Sequence, residues 1–193
     1  MYANLPTDTS VKEYVGVPNG LTTSDANSLG LAKTSLPGSY FSAASAPAVI
    51  QAYSEVLFLR AEAAARGFSN EDAAALYKAA ITASLNQYGI TNDVVINNYL
   101  QQSSVQYDAS NYKKSIGDQK WIALFGEGLE AFAEWRRLDY PVLQAAVAGV
   151  YGDKIPVRFI YPSKEQTLNG ESYQQAVAEQ GPDDLFTHLW FDK

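Results

Sequence analysis

Two apolar stripes at helical spacing, separated by only a few polar residues, leave this chain few folds to choose from. Val49, Tyr53, Val56, Leu57, Ala61 and Ala64 recur every three or four residues, with Pro47 at a first-turn position and Gly67 at the end. That spacing predicts a helix over about 47–66. Tyr77, Ile81, Leu85 and Tyr88 form the second stripe; Ser69 with Asp72 resembles a capping box with Asp in place of Glu, and Gly89 stops the helix. So short a connection turns the second helix back against the first. Ala61, Ala64, Ala73, Ala80 and their neighbouring alanines then let the axes approach closely. The unit is an α-hairpin of tetratricopeptide-like size, and a superhelix would need repeats lying outside this chain.

Residues 1–46 hold no sustained helical period and carry the turn signals Pro18-Asn19-Gly20 and Leu36-Pro37-Gly38, so they read as a loop-rich N-terminal segment. Residues 47–193 read as a helical region, the whole forming a single domain. A short helix is expected over 92–101, followed by a polar loop with Tyr107. The strongest period comes next and predicts one long amphipathic helix over about 111–138, ended ahead of Pro141. Trp121, Leu124, Phe125, Gly128, Leu129, Phe132, Trp135 and Arg136 share one face of it, expected to be buried. Lys120, Glu127, Glu130, Glu134 and Arg137 share the other, expected to be solvated. Gly126 and Gly128 would each cost about 1 kcal/mol against Ala inside a helix, which points to a backbone or ring packed on them. Further on, 155–162 looks extended, Ser163 with Gln166 caps a short helix, another helix follows over 170–179, and the end is aromatic and irregular. The fold class is therefore mainly α.

Composition narrows function by exclusion. A balance of 47% hydrophobic to 18% charged residues is that of a chain that folds, and a net charge of −7 argues against a nucleic-acid partner, whose phosphates need clustered Lys and Arg. The longest small or apolar run, 145–151, falls well short of the roughly 20 residues of a transmembrane helix. The residues after Met1 form neither a basic nor an apolar signal region, so the sequence reads either as cytosolic or as a chain whose export signal has been cut away. With no Cys, disulfides, thiolate metal sites and thiol nucleophiles are excluded.

Catalytic patterns are thin. Glu127, Glu130 and Glu134 have the helical spacing of a glycosidase-like carboxylate pair, but a solvated helix face explains them better, with Arg137 one turn from Glu134. His188 is the only histidine, and a metal shared with Asp184 would need more ligands than the sequence offers. No nucleophile elbow occurs, and the stretch from Gly149 to Lys154 has the wrong spacing for a phosphate loop and reads as a turn. No catalytic residue, metal ligand or cofactor site is expected. Of the aromatics in or near loops, Tyr107, Tyr112 and Tyr151 are the ligand-binding candidates, with Tyr161 and Trp190 able to stack in the same way on sugars or on a partner.

Three stretches, in order and at similar spacing, resemble the C-terminal portion of the SusD/RagB family of outer-membrane nutrient-binding lipoproteins. They are YSEVLFLRAEAAARG over 53–67; QKWIALF over 119–125 continuing to EWRRLDYP over 134–141; and IPVR over 155–158 with Tyr161-Pro162, Glu165 and Asn169. An LWFD ending over 189–192 completes the resemblance. It implies a non-catalytic, surface-exposed protein, lipid-anchored in a longer parent, that captures an oligosaccharide or other nutrient. Such a protein passes its ligand to a TonB-dependent, SusC-like outer-membrane barrel. The chain departs from the family by lacking the signal, the lipid-bearing Cys and most of the tetratricopeptide-like helices. The matching residues Trp121, Phe125 and Trp135 are expected in the core as structural positions, with Arg136 and Arg137 available to a carboxylate such as Glu55 or Glu62. From a different class, a helical scaffold that binds another protein through the hairpin and the acidic helix face is the alternative.

Overall fold

The computed structural model describes residues 4–192 and is mainly helical, with no β-strand among them. The helices are α1 (Thr23–Leu29), α2 (Ser39–Ser42), α3 (Tyr53–Ala65), α4 (Ala73–Gln87), α5 (Asp93–Leu100), α6 (Tyr112–Ala123), α7 (Gly128–Leu138), α8 (Ser163–Leu168) and α9 (Gly170–Gln180). They fall into two compact units. The larger runs up to Val17 and resumes over Thr22–Val142; the smaller joins Pro18–Leu21 to the chain from Leu143 onward. Of the loop-rich N-terminal residues, those up to Val17 and from Thr22 on, α1 and α2 included, pack with the larger unit, and Pro18–Leu21 pack with the smaller.

In the larger unit α3 and α4 pack side by side as the expected hairpin, with α6 across α3. Leu57, Phe58 and Ala61 of α3 meet Tyr77, Ala80 and Ile81 of α4, and Ile116, Ala123 and Leu138 close the cluster. Fully burying a ring such as Phe58, which is 0% exposed, contributes about 1.5–3 kcal/mol. Tyr77 is sealed in this core, and its hydroxyl donates to the Val105 carbonyl at 2.7 Å, which ties the α5–α6 loop to α4. Gly67 ends α3 at φ +75°, and the Phe68 N–H closes the cap on the Ala63 carbonyl.

Local chemistry shifts several expected boundaries. α3 starts at Tyr53, not Pro47, with Ala52 as its N-cap. Asp72 rather than Ser69 caps α4, its side chain accepting from the Ala75 N–H at 3.0 Å. Pro162 precedes α8 with no side-chain cap, so Ser163 is its first residue rather than its cap. The main correction concerns the long helix: 111–138 is two helices, broken after Ala123 and resumed at Gly128. Gly126 sits in the break at φ +98°, a conformation that needs no Cβ, and an added Cβ would stand 3.0 Å from the Phe41 ring. Gly128, the other residue expected to lie under a neighbour, has open space around it.

The smaller unit begins where Asn19 and Gly20 accept from the N–H groups of Val147 and Ala148 at 3.0 and 2.9 Å. Residues 155–162 form neither helix nor strand and bend at Arg158; the Val157 N–H donates to the Leu185 carbonyl at 2.8 Å. The stretch from Gly149 to Lys154 is a turn, as its composition implies.

Candidate functional site

On either side of the break, Lys120 of α6 and Glu134 and Arg137 of α7 turn inward. Lys120 is 1% exposed, with its Nζ 3.0 Å from Glu134 Oε2, and Glu134 is itself buried. Arg137 forks onto two carboxylates: Glu62 of α3 takes both terminal nitrogens, and Glu134 accepts from Nη2 at 2.7 Å and Nε at 3.1 Å. Arg66 adds a 3.3 Å contact to Glu62. This places Arg137, of the two candidate arginines, on Glu62. Arg136 instead lies over the Phe132 ring at 4.4 Å and donates to the Phe132 carbonyl.

The expected solvated face is thus corrected, and so is its buried counterpart. Phe125 is 56% and Leu129 90% exposed, while Trp121, Phe132 and Trp135 are only partly buried, the last two stacked at 5.9 Å. Polar groups won the interior because each found a buried partner of opposite charge, an outcome that hydrophobic patterning does not register. The carboxylates do not behave as one set. Glu130 is exposed, Glu134 is committed to Lys120 and Arg137, and burial pushes Glu127 up, helped by Glu55 and Glu130 nearby.

The aromatic candidates separate. Tyr107 and Tyr112 pack against the core of the larger unit, Tyr107 with its ring 5.3 Å from Tyr77. Tyr151, 48% exposed, belongs to the smaller unit and sets its edge on Phe186 at 5.5 Å. His188 lies beside Asp192, Nδ1 to Oδ2 2.9 Å, while Asp184 accepts from the Phe186 N–H; the two are not brought together on a helix.

Each unit carries a surface cavity. In the larger one about 200 Å³ is lined by Leu59, Glu62, Ala63, Arg66, Phe68 and Arg137, with Arg66 over the Phe68 ring at 4.8 Å. In the smaller one about 290 Å³ is lined by Tyr161, Ala176, Glu179, Gln180 and Trp190. Beneath it Arg158 and Asp183 form a buried pair at 3.0 Å, and Asp183 also accepts from the Tyr161 N–H at 3.0 Å and the Tyr173 hydroxyl at 3.3 Å. Glu179 and Gln180 had no signal in the sequence beyond standing in the last turn of a helix.

The described residues form a mainly helical fold built on an α-hairpin, with open surface cavities, and comparison with known proteins assigns that fold to a family. The SusD-like_2 profile, described as "Starch-binding associating with outer membrane", matches residues 1–162. The chain belongs to the SusD-like family. A SusD homolog from Bacteroides uniformis has 28% identity and a TM-score of 0.81, covering 100% of this chain and 46% of its own. One from Bacteroides thetaiotaomicron has 26% identity and a TM-score of 0.80, covering 99% and 47%. A structure titled "chitin-binding protein" has 32% identity over 73% of this chain and 32% of its own, with a TM-score of 0.63. The chain thus spans less than half the length of each of these relatives. No protein of curated function matches it. Among the described residues no helix is long and apolar enough to cross a membrane.

Proposed function

We propose that this chain is the C-terminal portion of a non-catalytic glycan-binding component of an outer-membrane uptake system, which passes its ligand to a TonB-dependent, SusC-like barrel. The match to the SusD-like profile over residues 1–162 carries this reading. Two features of the chain support it. Glu134, the candidate general acid or base nearest the arginines, is locked between Lys120 and Arg137 as a structural group. The smaller unit sets the exposed Trp190 and the half-buried Tyr161 beside polar side chains, the lining that hydroxyl-rich ligands use. Capture followed by hand-over calls for modest affinity, which an open surface cavity supplies better than an enclosed one. In the parent protein the chain is held by a lipid anchor on the cell surface.

The experiment is to tag the full-length parent in its native cell, extract the outer membrane gently and identify what co-purifies. A TonB-dependent barrel is the expected companion. Soluble proteins without a barrel would instead favour the scaffold reading, which has its own observation: Ile122, Phe125 and Leu129, around the α6–α7 break, are large apolar side chains 55%, 56% and 90% exposed.

A further inference from the structure

Trp190 leaves 84% of its surface open at the cavity of the smaller unit. A large ring left in water marks a contact surface when polar groups stand around it, and here they do. We propose that this cavity is a saccharide subsite in which Trp190 and Tyr161 stack on sugar rings and Glu179 and Gln180 bond the hydroxyls. The proposal rests on the glycan-capture reading and adds to it a location and a set of contacts.

The polar groups are of the right kinds and are set in advance. Gln180, with its carboxamide oxygen turned to Arg158, accepts from that guanidinium and keeps its –NH2 as a donor. One oxygen of Glu179 accepts from Gln175 at 3.2 Å, which steadies the carboxylate and leaves the second oxygen to accept from a hydroxyl. Tyr161 is held by its N–H to Asp183, by the Tyr173 ring edge at 5.8 Å and by Arg158 at 5.3 Å from its centroid. An aromatic fixed by a buried ion pair loses little freedom when a ligand arrives. Ala176 leaves the remaining wall small.

The charge pattern selects the ligand class. Arg158 is engaged by Asp183 and Gln180, and among the described residues no Lys or Arg lines the cavity, so Glu179 disfavours anionic ligands there. A neutral polyhydroxylated ring satisfies an acceptor, a donor and a flat apolar face together. At about 290 Å³ the cavity lies at the low end of the roughly 300–1,000 Å³ of small-molecule sites, suited to a short stretch of glycan.

The test is isothermal titration of the 193-residue chain with maltoheptaose, with chitohexaose and with an oligolysine peptide, repeated on Trp190→Ala and Glu179→Ala. Because both side chains are exposed, both variants keep the parent circular dichroism. At least one sugar binds the parent; Trp190→Ala weakens it by about tenfold or more, and Glu179→Ala by about three- to tenfold. Sugar binding that survives Trp190→Ala unchanged overturns the subsite and leaves glycan capture standing. Binding of the peptide in place of both sugars overturns it in favour of a cation–π site. If neither sugar binds the parent, the subsite and the glycan reading of this chain fall together.

Discussion

Lys120 of α6 and Glu134 of α7 face each other at 3.0 Å with side chains only 1% and 11% exposed. Such a pair adds little net stability, because desolvation offsets the attraction, but its half is costly to leave behind. Lys120→Met is expected to destabilise by about 3–5 kcal/mol in urea denaturation. Lys120→Met combined with Glu134→Leu should cost clearly less than Lys120→Met alone, since Arg137 keeps Glu62. A double variant weaker than the single one would mean that the pair holds the helices by more than mutual neutralisation.

The hairpin was readable because its signals are local: stripe, small residues, and Gly67 and Gly89 at the ends. The expected helix over 92–101 also stands, as α5 over Asp93–Leu100, with the Asn92 side chain accepting from the Val94 and Val95 N–H groups as its cap. The break between α6 and α7 was not readable. Gly126 and Gly128 mark the region in the sequence, but the Phe41 ring, from which a Cβ on Gly126 would stand 3.0 Å, lies far away in the chain. The inversion of α7 follows from the same limit, since patterning ranks Glu134 and Lys120 as surface residues and cannot see that they meet. Tyr161 and Trp190 were recognisable as loop aromatics, whereas Glu179 and Gln180 join them only through tertiary packing.

The same network makes stability depend on pH in two opposed ways. Burial raises the Glu127 carboxyl above its usual value of 4.5, with Glu55 and Glu130 adding to the shift. Burial would raise Glu62 as well, but the hydrogen bonds from Arg137 and Arg66 outweigh it and hold it below 4.5. A raised carboxyl contributes stability that is complete below its unfolded pKa and lost as pH rises through the folded value. A depressed one contributes above the unfolded pKa and loses it as pH falls through the folded value. Glu127→Gln should therefore raise the urea midpoint at pH 7, with the gain shrinking toward pH 4.5. Glu62→Gln should lower it at pH 7, with the deficit shrinking below pH 4.5. Two variants shifting the same way at pH 7 would contradict the opposed shifts.

Burial also ranks two large apolar residues that the sequence treats alike. Phe58→Ala should cost about 3–5 kcal/mol, since the ring is 0% exposed among core side chains. Leu129→Ala, at 90% exposed, should change stability by no more than about 0.5 kcal/mol. A large loss at Leu129 would show that this face is covered in solution.

Two helical glycines differ in the same spirit. An added Cβ at Gly117 would meet the Tyr140 Cβ at 2.6 Å and its carbonyl oxygen at 3.1 Å, backbone-anchored atoms that cannot swing away. Gly117→Ala should destabilise by about 1–3 kcal/mol. Gly128→Ala meets nothing within 4 Å at the start of α7 and should stabilise by about 0.4–1 kcal/mol through the unfolded chain. A neutral or stabilising Gly117→Ala would show that α6 does not run this close to the Tyr140 backbone.

Arg158 and Asp183, 6% and 5% exposed, perform in the smaller unit the service that Lys120 and Glu134 perform in the larger. Asp183 gathers the Arg158 guanidinium, the Tyr161 N–H and the Tyr173 hydroxyl, and burial together with Asp183 holds the Tyr173 phenol above its usual range, so it stays a donor. Arg158→Ala strands this carboxylate, and Arg158→Lys does not rescue it, because an ammonium cannot reach Asp183, the Phe159 carbonyl and Gln180 with one planar fork. Amide hydrogen exchange over 157–185 should accelerate by about a hundredfold or more in both variants, the equivalent of about 3–5 kcal/mol of local stability. Protection retained in Arg158→Lys would reduce the role of Arg158 to simple charge neutralisation and remove the rigid base on which Tyr161 stands.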